Sequence, residues 1–403
     1  MLRRLRSAPF YIAAFVLLMP LGPVHAQVAS DWQNRPRITE NVQETKRVPL
    51  LGNTHPEARR ENDRGTVADG LPLEHMLLQL KRSPEQEQAL QQFLDELHTP
   101  GSPNFHHWIT AQEFGTRFGV AKQDLDALTG WLESHGFQLN VVYPSGMLID
   151  FSGTAAQVRQ AFQTEIHHLE VSGERHIGNM SDPSIPAAIA PVVSGIVSLH
   201  DFRPHVMHQM HKASPLFTFP DSSGGTNYAL VPADLATIYN LNPLFKSGLS
   251  GQGQTIVLIE DTDVFSASDW SNFRAAFGLS TYTGSSFAQV HPPAPPSNPN
   301  NNCGAPGVIA PNDAEAILDA EWASAAAPSA AIEMAACADT RTTFGGLIAV
   351  QNLINASAPP PAIMSISYGQ CETVNGAAAN ASFNSVIRLP PPLMRDSCGS
   401  AQS

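Results

Sequence analysis

The run Thr255-Ile256-Val257-Leu258-Ile259, led in by Gly251-Gln252-Gly253-Gln254, reads as a buried strand of a parallel sheet. Such a strand needs cover on both faces, so it commits its neighbourhood to layered α/β architecture. Ala331–Ala336 and Ala362–Ser367 give further strands, and Asp269–Phe277, the stretch from Asn312, and Thr343–Asn355 read as helices. Strands alternating with helices predict a doubly wound, mostly parallel sheet in the second half of the chain.

The helix opening at Asn312 carries the most chemistry. Asp313 is placed to cap it, alanines with Ile317 and Leu318 favour it, and Pro328 closes it. At 3.6 residues per turn Glu315, Asp319 and Trp322 share a face, with an apolar stripe of Ala314, Ile317, Leu318 and Ala325 beside it. Two carboxylates one turn apart repel mildly in water; drawn into a cleft they share a proton and suit acid–base work. The plainer reading is a solvated acidic face that Glu321 extends. Glu260-Asp261-Thr262-Asp263 adds carboxylates at a strand's C-terminal end, where open α/β sheets keep their sites.

The first half has a different rhythm. After a polar, extended lead-in (27–70), a strand (Leu71–Leu80) precedes a helix started by Ser83-Pro84, and Thr110-Ala111-Gln112-Glu113 forms a capping box. A helix over Lys122–Ser134, strands over Gln138–Tyr143 and Met147–Phe151, a short helix over Thr154–Phe162, and a strand pair over Glu165–Val171 and Arg175–Asn179 follow. A last strand is expected over Val193–Phe202. Hairpin returns among helices predict an α+β domain (71–204), an antiparallel sheet with packed helices. Residues 205–227, rich in His, Met, Ser, Pro and Gly, read as an exposed linker open to proteolysis. His205, His208 and His211 recur at three-residue spacing, which in this composition reads as solvated, with acid-triggered loosening as the functional alternative.

Charge and targeting narrow the partners. Lys+Arg 23 against Asp+Glu 36 gives −13, which argues against nucleic acid or an anionic membrane surface. A basic start, an apolar run from Pro9 to Leu21 and Val24-His25-Ala26 read as a signal peptide (1–26), so a secreted or periplasmic product with no membrane association after cleavage is expected. Export permits disulfides; Cys303 and Cys337 flank the Glu315 helix as the candidate pair, while pairing of Cys371 and Cys398 stays open.

Several segments together resemble the sedolisin family of serine-carboxyl peptidases in its pro-kumamolisin-type zymogen form. In the first half they are Ser102-Pro103-Asn104-Phe105-His106-His107-Trp108, Glu113-Phe114-Gly115, Trp131-Leu132 with His135-Gly136-Phe137, and Phe151-Ser152-Gly153-Thr154. In the second they are Pro232-Ala233-Asp234-Leu235 with Tyr239-Asn240, the Gly-Gln-Gly-Gln-Thr strand, Glu315-x-x-x-Asp319 with Trp322-Ala323, and Ser365-Ile366-Ser367-Tyr368-Gly369. The resemblance implies an activation domain over 71–204 that blocks its own peptidase intramolecularly and is released in acid, an activation cut within 205–227, and the N-terminal part of a subtilisin-like catalytic domain over 228–387. It makes Glu315 the general base for a serine and Asp319 its support, a triad logic with carboxylates in place of imidazole. Trp322 becomes a substrate-cleft candidate, with proteins or peptides as substrates.

The same family pattern asks for an oxyanion aspartate and a serine in Gly-Thr-Ser. No Gly-Thr-Ser occurs in the second half, and Asp396-Ser397 is too close in spacing to take the aspartate role. Residues 388–403, with Pro390-Pro391-Pro392, cannot form the family's next central strand; the abrupt change suggests a frameshift or premature stop, with a fragment or a true product left open, and only the N-terminal part of the catalytic domain is expected here. No cofactor is expected in these residues; calcium is implied for longer relatives, at a site nearer their C-terminus. The alternative is a non-catalytic protein acting as inhibitor or folding helper of a related peptidase. A subtilisin-type role for Asp261 lacks its His-Gly-Thr-His partner segment.

Overall fold

The computed structural model describes residues 35–388 apart from 198, 207–216, 221, 297, 299 and 358–359. The signal peptide, His208, His211, Cys398, Asp396-Ser397 and the tail from 389 lie outside the described residues.

The first half contains β1 (Arg47–Pro49), β2 (Asp63–Thr66), β3 (Pro72–Leu80), α1 (Pro84–His98), α2 (Ala111–Phe118), α3 (Lys122–Ser134), β4 (Gln138–Val142) and β5 (Leu148–Thr154). It continues with α4 (Ala155–Phe162), β6 (Ile166–Val171), β7 (Glu174–Asn179), β8 (Ser184–Pro186) and β9 (Val193–Val197). Ser83, Thr110 and Thr154 each close a capping box, with Gln86, Glu113 and Gln157, so three of the four helices start where a side chain satisfies an orphan amide. The main sheet runs β4-β5-β3-β9, all antiparallel, beside smaller sheets β2-β6-β7 and β1-β8. Leu77, Leu78, Leu90, Phe114, Phe151 and Phe162 fill its core with no exposed surface.

Two expectations change. The lead-in is not merely extended: β1 and β2 join sheets, Ile38, Leu50 and Val67 are buried, and the Arg37 and Ile38 amides donate to the Asp124 carboxylate at 2.8 and 2.9 Å. Strands of three or four residues carry no periodicity, and their partners lie far along the chain. The last strand stops at Val197, short of Phe202.

The second half adds β10 (His205–Val206), β11 (Phe217–Pro220), β12 (Thr226–Ala229), α5 (Pro232–Ile238), α6 (Asn242–Lys246), β13 (Thr255–Glu260), α7 (Ala267–Ala276) and β14 (Ser286–Val290). Then come α8 (Asn312–Ala326), β15 (Ala331–Ala336), α9 (Gly345–Ile354), β16 (Ile363–Ile366), β17 (Tyr368–Gly369) and α10 (Glu372–Arg388), broken at Gly376. The sheet β14-β15-β13-β16 is wholly parallel. Alternation along β13 sends Val257 and Ile259 into the core that holds Leu347 and Ile348 of α9, and Leu258 into the one that holds Ala316 and Ala320 of α8. Helices therefore cover both faces.

The stretch read as linker is partly built in: β11 and β12 form a hairpin, and β10 pairs antiparallel with β17, His205 opposite Gly369 and Val206 opposite Tyr368. A buried polar network also joins the halves. Asp150 accepts from His75 at 3.0 Å, Asn140 at 2.8 Å and Asn302 at 2.8 Å, and Tyr143, bonded by Asn302, donates to Asn352. Every buried carboxylate oxygen there meets a donor, which is what makes such a network tolerable. Among the described residues no helix is long and apolar enough to cross a membrane.

Candidate active site

Helix α8 presents its carboxylates inward. Glu315, Ala316, Ala320, Ser324 and Ala325 are buried, whereas Leu318 and Ala314 are exposed, so the stripe expected from Ala314 and Leu318 is not the packed one. With alanine on every side the helix has little apolar asymmetry, and the close approach of Ala316 and Ala320 to Leu258, Ile332 and Met334 decides its rotation. Asp313 sits in the first turn after Pro311 rather than capping it.

Burial, with Glu315 adding to it, raises Asp319 to about 6, against the pull of the Ser367 hydroxyl, which donates to Asp319 Oδ2 at 2.5 Å. Glu260, at the end of β13, is fully buried; desolvation and then Asp319 push it up to about 9. Tyr368 lies 3.0 Å from Glu260 Oε2 and 2.9 Å from Asp261 Oδ1. One phenolic proton cannot serve both, and a protonated Glu260 resolves this by donating to the phenol oxygen while Tyr368 donates to Asp261. Asn312 holds Asp261 from the other side, its amide 3.0 Å from both oxygens. Burial and the shared phenol thus favour the protonated form of Glu260, beside an Asp319 whose proton affinity is also raised.

A further carboxylate, Asp339, borders the cluster beside Asp261. Burial lifts Asp339 to about 6 although Arg203 pairs with it at 3.2 Å and the Gly345 amide donates at 2.7 Å. Trp322 is half-buried against Phe273 of α7, ring centroids 6.3 Å apart, on the helix–helix seam. Glu321 faces α7 too, and burial with Asp269 raises it to about 7. Cys303 and Cys337 are joined in a disulfide that ties the Pro- and Asn-rich loop to the end of β15; Cys371 is a free, exposed thiol.

The sequence singled out Glu315, Asp319 and the strand-end Glu260-Asp261 separately. It did not show that Ser367 and Tyr368 bring them together; the only signal was that residues at the C-terminal ends of adjacent parallel strands, β13 and β16, must meet. Among the described residues no group of three or more His, Cys, Asp or Glu could hold a metal ion.

Residues 61–202 match the family described as Pro-kumamolisin, activation domain. The chain is 25% identical over 346 residues to kumamolisin of Bacillus sp. (strain MN-32), covering 85% of this chain and 59% of that protein. It is 28% identical over 214 residues to xanthomonalisin of Xanthomonas sp. (strain T-22), covering 51% and 25%, and 24% identical over 209 residues to sedolisin of Pseudomonas sp. (strain 101), covering 51% and 34%. The chain therefore spans 59% or less of the length of these relatives. Fold and matches define the class first: a protein with an activation domain ahead of a parallel-sheet α/β domain. More particularly, residues 61–202 match the pro-kumamolisin activation domain, and the chain is similar over most of its length to kumamolisin and over about half of it to sedolisin.

Proposed function

We propose that these residues are the activation domain and the first part of the subtilisin-like catalytic domain of an exported serine-carboxyl endopeptidase precursor that works in acid on proteins or peptides. The observation that carries this is the buried carboxylate cluster at the ends of β13 and α8, with the segment leaving the activation domain laid as a strand on Tyr368–Gly369 beside it. In this reading Glu315 takes the proton of a serine hydroxyl, and Asp319 supports Glu315 electrostatically as the proton arrives. A carboxylate base stays competent where imidazole would be protonated, and Asp319, raised to about 6, sets an upper pH limb. The edge that holds His205–Val206 would take a substrate peptide the same way, by added-strand hydrogen bonds, so the activation domain's own exit segment blocks it.

The second half contains no Gly-Thr-Ser, so these residues supply a base without its nucleophile. We expect the 403-residue chain to leave an unfolded protein substrate intact at pH 4 and to show a coupled carboxylate titration by infrared spectroscopy that Glu315→Gln and Asp319→Asn both alter. Turnover abolished by Glu315→Gln would refute the missing nucleophile. Carboxylates titrating independently near 4 would refute the dyad. The well-filled core of the activation domain also suits the alternative role in trans, which inhibition of an intact relative by the chain would support.

A further inference from the structure

Consecutive residues after β16 reach opposite faces of the parallel sheet. Ile366 pairs with Ile259, so Ser367 emerges level with Glu260 and turns to α8, while Tyr368 turns to Phe344, ring centroids 5.0 Å apart. The two hydroxyls thus hold two sides of one carboxylate cluster, Ser367 on Asp319 and Tyr368 on Glu260 and Asp261. The backbone of Tyr368–Gly369 is at the same time the edge that carries His205–Val206.

We propose that Ser367 is the positioning residue of the dyad. Its hydroxyl proton, given to Asp319, keeps that carboxylate an acceptor and leaves the proton of the cluster with its other members. Because its neighbours form the strand-pairing edge, a peptide laid on that edge fixes Ser367 against Asp319. This rests on the dyad reading above. The titratable groups facing Asp319 are Glu315 on its own helix and Glu260 from β13; Asp261 and the Arg203-paired Asp339 stand behind them. Ser367 gives Asp319 a hydrogen bond at 2.5 Å, and a donated hydrogen bond favours the ionised form of a carboxylate.

The test is a carboxylate titration of the full chain, by infrared or by carbon NMR on labelled Asp and Glu, in wild type, Ser367→Ala and Ser367→Thr. Asp319→Asn assigns the Asp319 step. The expected result is an Asp319 step displaced upward by about one pH unit in Ser367→Ala, a tenfold change in proton affinity, and returned by Ser367→Thr, which keeps the hydroxyl. An unmoved step in a folded Ser367→Ala overturns the proposal even if Glu315→Gln still shifts Asp319, which is the dyad's own signature. A step that moves with Ser367 but ignores Glu315→Gln upholds the positioning bond and sinks the dyad reading instead. Labelling of Ser367 by a fluorophosphonate overturns the proposal by making this serine a nucleophile.

Discussion

The two halves bury opposite kinds of titratable group. The first half gathers imidazoles around one phenyl ring: His55 stacks on Phe202 at 3.8 Å, His176 stacks on the same ring at 4.1 Å, and His200 lies 4.9 Å from His55. Burial pulls His55 down to about 4 and His200 to about 3, and the buried His55 Nε2 and His200 Nδ1 have no hydrogen-bond partner among the described residues. The parallel-sheet half hides carboxyls that hold a proton more tightly than usual, with Glu260 up to about 9 and Asp319 and Asp339 to about 6. These shifts have opposite consequences. A histidine lowered from 6.5 binds its proton better unfolded, so that stability is lost as pH falls from about 6.5 toward the folded value. A carboxyl raised above its unfolded value binds its proton better folded, so stability is greatest in acid and is lost as pH rises toward the folded value. On these directions acid should destabilise the first half and stabilise the parallel-sheet half. His75, raised beside Asp150, is the exception on the first side.

Among the carboxyls and imidazoles the widest span belongs to Glu260, from 4.5 to about 9, so Glu260→Gln should break the contrast most. One proton of linkage changes the folding constant up to tenfold per pH unit. Amides of β13 and β15 should exchange faster in wild type as pH climbs from 5 to 8, beyond the chemical rate, and Glu260→Gln should flatten that slope. An unchanged slope would mean that Glu260 is ionised in the folded protein.

Next in size are His200 and His55. His200→Gln should reduce, by up to tenfold per pH unit, the loss of exchange protection in β3 and β9 between pH 6 and 4, and His55→Gln should do so by less. Protection in β13 should stay put. The groups facing His200 are His55 and His176, the latter bonded to Asp201 at 3.0 Å, and a slope that survives both substitutions would overturn the part given to His200 and His55.

How much of this was legible follows from distance along the chain. Strand β13, helix α8 and strand β15 announced themselves because each signal is local: an apolar run, a helix-favouring stretch closed by Pro328, a second run. Glu315 and Asp319 fell on one face for the same reason. Ser367 meets Asp319 across 48 residues and Tyr368 meets Glu260 across 108, separations that no periodicity encodes. The inward turn of α8 was misread because small alanines pack closer than Leu318 can. The rings around Phe202 come from three stretches, and His55 lay in a segment read as lead-in.

The smallest expected effect tests the tie between the two halves. Arg203, just past the activation domain's last strand, pairs with Asp339 at 3.2 Å and donates to the Thr340 carbonyl, while Asp339 also accepts the first amide of α9. Asp339 already sits at about 6 with Arg203 pulling it down, so Arg203→Ala should raise it further. At pH 8 the variant then keeps a carboxylate largely out of water with only a backbone donor, which should cost about 1 kcal/mol for a pair that is partly exposed. At pH 4 Asp339 is protonated in both proteins, so the charge part of that cost should vanish. Urea midpoints at the two pH values measure the difference. A penalty that is the same at both would make Arg203 a packing residue; a penalty confined to pH 8 would show that acid, besides loosening the histidines, releases the charged strap that leads from the activation domain to the carboxylate cluster.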